Sequence, residues 1–196
     1  MVMPTNGSYP WLHYWAGRAS GCVGHLYSPK GQRGPYQWLP YALDNGAFAG
    51  FDEGEWKALL RWACLSGAAP LWVAVPDVVG DAKATSAQWD TYSPEASRFG
   101  WPLAFVVQDG HEPADVPGGA DVIFVGGSTE WKWASLDTWC AAFDRVHVGR
   151  VNSPERLYQC HRLGVESVDG TGWGRGDSRQ LAGLLRYLEE TTPPQP

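Results

Sequence analysis

Five short apolar runs punctuate this chain, and each one ends in a polar or glycine-rich signature. They are YALDNGAF (41–48), WVAVPD (72–77), AFVVQDG (104–110), VIFVGGS (122–128) and ESVDGTGWGRGD (166–177). Runs that are apolar almost throughout suit strands buried on both faces. Between them lie stretches with apolar residues at helical spacing, such as WKALLRWACL after the acidic start FDEGEW, and SRQLAGLLRYLEE near the end. Strands alternating with amphipathic helices build a parallel sheet with helical crossovers. Whatever follows each strand then converges on one rim, the place where α/β folds assemble their sites.

The other elements follow the same alternation. A strand is expected in WLHYWAG (11–17), a short one in CVGHLY (22–27) and another in RVHVGRV (145–151). Helices are expected from about Asp52 to Ser66 and through LDTWCAAF (136–143). Another should follow Ser153, which caps it, with Pro154 in its first turn and Gly164 at its end. Residues 81–99 read as one or two helical pieces broken at Pro94, with Ser93 as the second N-cap. The landmarks Asp44, Asp77, Gln108, Gly126, Gly149 and Asp169 are roughly 18 to 33 residues apart, a spacing of compact βα units. Seven or eight such units fill the chain. The expected fold is therefore a compact TIM-like α/β barrel of seven to eight parallel strands, closed or short of one strand, although about 250 residues is typical. It forms a single domain over 1–190, with TTPPQP (191–196) as a disordered tail.

Composition narrows the function. With 44% hydrophobic and 18% charged residues the chain is globular rather than disordered. No apolar stretch approaches the roughly 20 residues of a membrane helix, and MVMPTNGSYPW lacks the layout of a secretory signal. A cytoplasmic protein with no membrane partner is expected. The net charge of −6 and the lack of any basic run weigh mildly against a nucleic-acid partner, because phosphate contacts need a basic face. Arg18, Lys30, Arg33, Arg150, Arg175 and Arg179 are the residues from which one would have to be assembled. Cys22, Cys64, Cys140 and Cys160 have no metal or redox spacing, and Cys64, Cys140 and Cys160, inside helix-like segments, read as small core residues. The five histidines show no HxH or HExxH pattern, so neither a metal nor a cofactor is expected.

Asp44 and Asp169 carry most of the chemistry. Each closes a strand and is followed by glycine within two residues. An isolated Asp-Gly is usually a turn, but two of them at strand ends of one parallel sheet point to an active site. Paired carboxylates suit chemistry at an anomeric carbon, one attacking or stabilising it while the other moves a proton. Asn45 and Gly46 form the tight turn after Asp44. Asp77 and Gln108 offer acceptors and a donor to the polar edge of a base. Gly126 and Gly127 leave backbone N–H groups open, or simply make a turn. In GTGWGRGD, Arg175 is suited to phosphate, and Trp173 flanks the same loop with a face on which a flat ring could stack. His147 is read as core, or as a residue behind the site.

The ordered set resembles the tRNA-guanine transglycosylase superfamily, including its branch that inserts 7-deazaguanines into DNA. Asp44-Asn45-Gly46-Ala47-Phe48 is similar to the family's DSGGF-type motif, Val107-Gln108-Asp109-Gly110 to its VQG-type strand and Gly126-Gly127-Ser128 to its GGL-type strand. The segment from Val148 to Leu157, followed by Gly164 to Asp169, resembles the family's GVGTPEDL … GVDxFD stretch. The resemblance implies a TIM barrel, a purine base or nucleotide as ligand, and base exchange or cleavage at an N-glycosidic bond. It implies Asp169 as nucleophile, Asp44 as proton-transfer group, and Asp77 with Gln108 as base-recognition residues. The family's cysteine-rich zinc site and the proline-threonine-arginine after its nucleophile are missing, which implies DNA modification or a free nucleotide rather than tRNA. Two other readings come from the residues themselves. One is a non-catalytic barrel that binds a nucleobase or nucleotide; the other is a phosphate-handling TIM-barrel enzyme of another class.

Overall fold

The computed structural model describes residues 1–4, 10–18, 21–31, 39–174 and 178–192. Eight strands, β1 (Val2–Pro4), β2 (His25–Tyr27), β3 (Tyr41–Leu43), β4 (Val73–Ala74), β5 (Leu103–Val107), β6 (Val122–Val125), β7 (Val146–Val148) and β8 (Ser167–Gly170), form one parallel sheet. Among the described residues six α-helices accompany them: α1 (Pro10–Arg18), α2 (Glu53–Ser66), α3 (Ala82–Ala96), α4 (Thr129–Ala142), α5 (Pro154–Arg162) and α6 (Ser178–Thr191). The strand order is β1-β8-β7-β6-β5-β4-β3-β2. A parallel bridge between Val2 and Val23 joins β1 to the start of β2, with hydrogen bonds of 2.9 Å from Val2 N–H to Cys22 and from Gly24 N–H to Val2. The sheet thereby closes on itself as a TIM-like α/β barrel.

Side-chain alternation sorts each strand into an outer and an inner row. Leu103, Phe105 and Val107 of β5, Ile123 and Val125 of β6, and Val146 and Val148 of β7 belong to the larger core, under the helices. Ala42, Ala74, Ala104, Val106 and Val122 belong to a second, interior cluster that also holds Trp72. Alanines on three successive strands leave room for that indole, which packs at ring-centroid distances of 5.7 Å from Phe124 and 4.7 Å from His147. The lower barrel is thus plugged with aromatic surface. The same parity turns Ser167 and Asp169 inward, together with His147 of the neighbouring strand.

The helices begin where the sequence supplies caps. Asp52, Asp81, Ser128 and Ser153 each accept a backbone N–H of the following first turn. Pro154 opens α5 as expected.

Three local expectations are corrected. WLHYWAG is helical, forming α1 with Trp11, Leu12 and Trp15 buried, so its apolar residues follow a helical stripe rather than a strand. The first strand is instead the three-residue β1. Residues 82–96 form one continuous helix with Pro94 inside its last turn, where Ser93 is no N-cap. Finally, α4 starts at Thr129, seven residues before the expected Leu136, because Ser128 caps it. No helix among the described residues is long and apolar enough to cross a membrane.

Candidate active site

One cavity of about 460 Å³ opens at the C-terminal rim of the barrel. Asp44, Asn45, Gly46, Asp77, Gln108, Gly126, Gly127 and Asp169 all line it. Of the remaining two candidates, one is placed away from it and the other is not described. Trp173 is buried in the core at 2% exposure, and Arg175 lies outside the described residues. Residues not among the sequence's site candidates complete the wall: Leu26, Phe48, Val79, Val106, Phe124, Arg150, Asn152 and Thr171 among them, of which the sequence had named Arg150 only for a basic face and Phe48 only within a motif.

Among the described residues three carboxylates share the cavity, and each is held differently. Asp169 is held at both oxygens. Its Oδ2 lies 3.1 Å from Nε2 of His147, whose Nδ1 is 2.8 Å from Ser167 Oγ, and its Oδ1 accepts the Arg150 N–H at 3.1 Å. His147 therefore stands behind the site as an orienting group.

Asp77 sits in a clamp of amides. Asn45 Nδ2 donates to Oδ1 at 2.7 Å and Gln108 Nε2 donates to Oδ2 at 2.6 Å. Burial pushes its carboxyl up to about 6, against the pull of those two amides and of Arg150.

Asp44 has the fewest partners. Its Oδ1 accepts the Asn45 N–H at 2.9 Å. It keeps part of its surface open to the cavity but is walled by protein elsewhere. Burial first, and then the negative charges of Asp169 and Asp77, raise it to about 7.

Asn45 and Gln108 are struts. Both amide hydrogens of Asn45 are used, by Asp77 and by the Val75 carbonyl at 2.9 Å, while its Oδ1 accepts Ala47 N–H at 2.8 Å. Gln108 Oε1 accepts two N–H groups, from Gly80 at 2.9 Å and Gly127 at 3.0 Å. Gly126 is tight for the same reason, since a Cβ there would stand 3.0 Å from Val106 and 3.1 Å from Gln108 Nε2. The N–H of Gly127 is spent on Gln108 and that of Gly126 on Val107. These glycines offer the cavity space rather than donors.

Positive charge reaches the mouth through Arg150. It is the single non-glycine among the described residues with positive φ, at 57°. Its guanidinium donates to the Gly127 carbonyl and lies 5.1 Å from the ring centre of Phe48. Phe48 is itself 72% exposed on the loop after β3. Among the described residues no group of three His, Cys, Asp or Glu side chains is placed to hold a metal ion.

The fold and site define a class: a small eight-stranded TIM-like α/β barrel with an acidic, partly apolar cavity and, among the described residues, one cation at its rim. No family model matches the chain, and no curated protein matches it. Among solved structures it is similar to 3-hexulose-6-phosphate synthase from Salmonella typhimurium, at 15% identity and a TM-score of 0.54, over 96% of this chain and 98% of that one. It is also similar to a structure described as native KDPGal, at 11% identity and a TM-score of 0.53, over 96% and 94%. At such identities the likeness shows the fold alone.

These findings correct the resemblance drawn from the motifs. No transglycosylase family model matches, and the structural neighbours bear the names of a hexulose-phosphate synthase and of KDPGal. Base exchange, glycosyltransferase or N-glycosidase activity, 7-deazaguanine and DNA modification are accordingly withdrawn.

Proposed function

We propose that this protein is a phosphate-handling TIM-barrel enzyme that moves protons on a small hydroxylated phosphate ester. The observation that carries the reading is Asp44, a carboxyl raised to about 7 inside a cavity it shares with the firmly held Asp169. A group half protonated near neutral pH gives and takes protons with comparable ease. Asp44 is the general acid–base in this reading. Asp169, oriented by His147 and the Arg150 N–H, supplies a fixed negative charge opposite it. Asp77, clamped by Asn45 and Gln108, accepts hydrogen bonds from substrate hydroxyls.

The phosphate is assigned to the rim. Barrel enzymes frequently bind phosphate at the loops after strands seven and eight. Here those loops bring Arg150, Asn152 and Thr171 to the cavity wall, and the carboxylates beneath would repel an anion placed deeper. The name of one structural neighbour, 3-hexulose-6-phosphate synthase, supports the same ligand class. Four free cysteines are compatible with a cytoplasmic setting, which we also propose.

The test is isotopic. The protein is incubated in D2O with a panel of pentose and hexose phosphates, and loss of carbon-bound protons is followed by NMR, with thermal unfolding measured in parallel. A sugar phosphate should both stabilise the protein and exchange a proton. Asp44→Asn should keep the stabilisation and lose at least about 100-fold of the exchange. Stabilisation without exchange in the native protein would make it a binder, and an active Asp44→Asn variant would remove Asp44 from the chemistry.

A further inference from the structure

One buried charge has no role in the site as described. Lys132, in the first turn of α4, is 1% exposed, and its Nζ donates to the carbonyl of Gly149 just past β7. The ammonium also lies 5.2 Å from the ring centre of Trp133. Burying a lysine is costly unless its charge is compensated, so its choice of partner is informative.

That partner belongs to a particular peptide plane. The carbonyl of Gly149 and the N–H of Arg150 are two ends of one planar trans unit, pointing in opposite directions. The Arg150 N–H is the donor that meets Asp169 Oδ1 at 3.1 Å. Lys132 therefore grips one end of a rigid plate whose other end touches a site carboxylate. The plate has little freedom otherwise. Gly149 N–H bonds Val125 at 3.2 Å and Val151 N–H bonds the Asp169 carbonyl at 2.7 Å. A Cβ on Gly149 would stand 2.6 Å from Phe124 and 3.3 Å from Asp169 Oδ2. Arg150 pays for this placement with a left-handed backbone, which an L-residue keeps only where its surroundings impose it.

We infer that Lys132 is a positioning residue for Asp169, acting through the Gly149–Arg150 peptide. Its grip on the carbonyl fixes the plane, and its charge polarises the peptide so that the N–H is a stronger donor toward the carboxylate. The inference rests on the reading of Asp169 as part of the active site, yet its structural half can be tested without a substrate.

The test is the backbone amide resonance of Arg150 in 15N-labelled protein. In Lys132→Met, a side chain of similar reach without the charge, that amide proton should move upfield and exchange with solvent at least tenfold faster, while amides at the far side of the barrel, in β3 and β4, keep their positions. With a sugar phosphate that shows exchange, kcat should fall about 10- to 100-fold with KM little changed, as when a partner behind a functional group is removed.

The native protein supplies a second readout should the variant fold poorly. Burial lowers the lysine to about 8, with Arg150 and Asp169 beside it and Cys160 and Arg156 facing it from α5. The Arg150 amide should then titrate near pH 8, and should still do so in Asp44→Asn, which removes the step near 7. An Arg150 resonance indifferent to both Lys132→Met and this titration would overturn the inference. If the resonance responds but no sugar phosphate binds, the assigned function fails while the positioning role of Lys132 stands.

Discussion

Replacing Asp44 by asparagine separates what this site costs the fold from what it does. In an unfolded chain an aspartate titrates near 3.8, and in the folded barrel Asp44 titrates near 7. Between those values the folded state holds a proton that the unfolded state has released, so stability falls as pH rises. The penalty is absent below pH 4 and complete above pH 7. A gap of about 3 pH units corresponds to about 4 kcal/mol at 1.36 kcal/mol per unit. Because Asp169 and Asp77 share the cluster and relax when one charge is removed, a realised value of about 2 kcal/mol is expected. Asparagine copies the protonated carboxyl in shape and cannot ionise. Asp44→Asn should therefore match the native protein at pH 4 and exceed it by about 2 kcal/mol at pH 8. Urea unfolding followed by fluorescence of the twelve tryptophans reads this directly at both pH values. The same variant should be inactive, the usual exchange of stability for function at a strained site. An equal difference at the two pH values, or a variant less stable at pH 8, would refute the reasoning.

Three further outcomes follow from the same geometry. Asp77→Asn sets an amide against the amides of Asn45 and Gln108, leaving a buried donor facing a donor; a loss of about 1–3 kcal/mol in chemical unfolding is expected. Gly149→Ala drives a methyl to 2.6 Å from the Phe124 ring and should lower stability by about 1–3 kcal/mol, visible as a drop in Tm. Arg150→Gly relaxes the backbone at φ 57° but removes the rim cation, so calorimetry should show a sugar phosphate losing about 10- to 100-fold in affinity while the free sugar is unaffected.

The barrel was legible because its signal is repeated. Apolar runs precede the helices α2 to α5, a capping Asp or Ser opens each of those four, and these signals agree with one another. The strands themselves were harder to place: β1 and β4 are only three and two residues long, too short for a period-two pattern to show. In the first segment the aromatic residues of WLHYWAG look like strand formers, but their spacing serves a helix face. Pro94 argued for a break that the last turn of α3 does not need.

The shared cavity was legible by position, and its chemistry was misread by motif, for a connected reason. Asp44, Asp77 and Asp169 follow or end strands that all point the same way, and closure of the barrel obliges them to face one cavity. The short signatures around them, an Asp-Asn-Gly turn, a Gly-Gly step and a Ser-Pro helix start, are also what any compact barrel uses to turn from strand to helix. Their order therefore resembled a family that the comparisons do not support. Asn45 and Gln108 illustrate the limit of residue type as evidence. Each seemed a ligand contact, yet closure of the fold spends Asn45's amide hydrogens and both acceptor sites of Gln108 on neighbouring loops. Lys132 is the converse. It sits four residues after a helix cap among tryptophans, with nothing in the sequence to mark it. Only the folded chain brings its ammonium to the peptide behind Asp169, because that contact depends on the register between α4 and the end of β7, and no local pattern encodes that register.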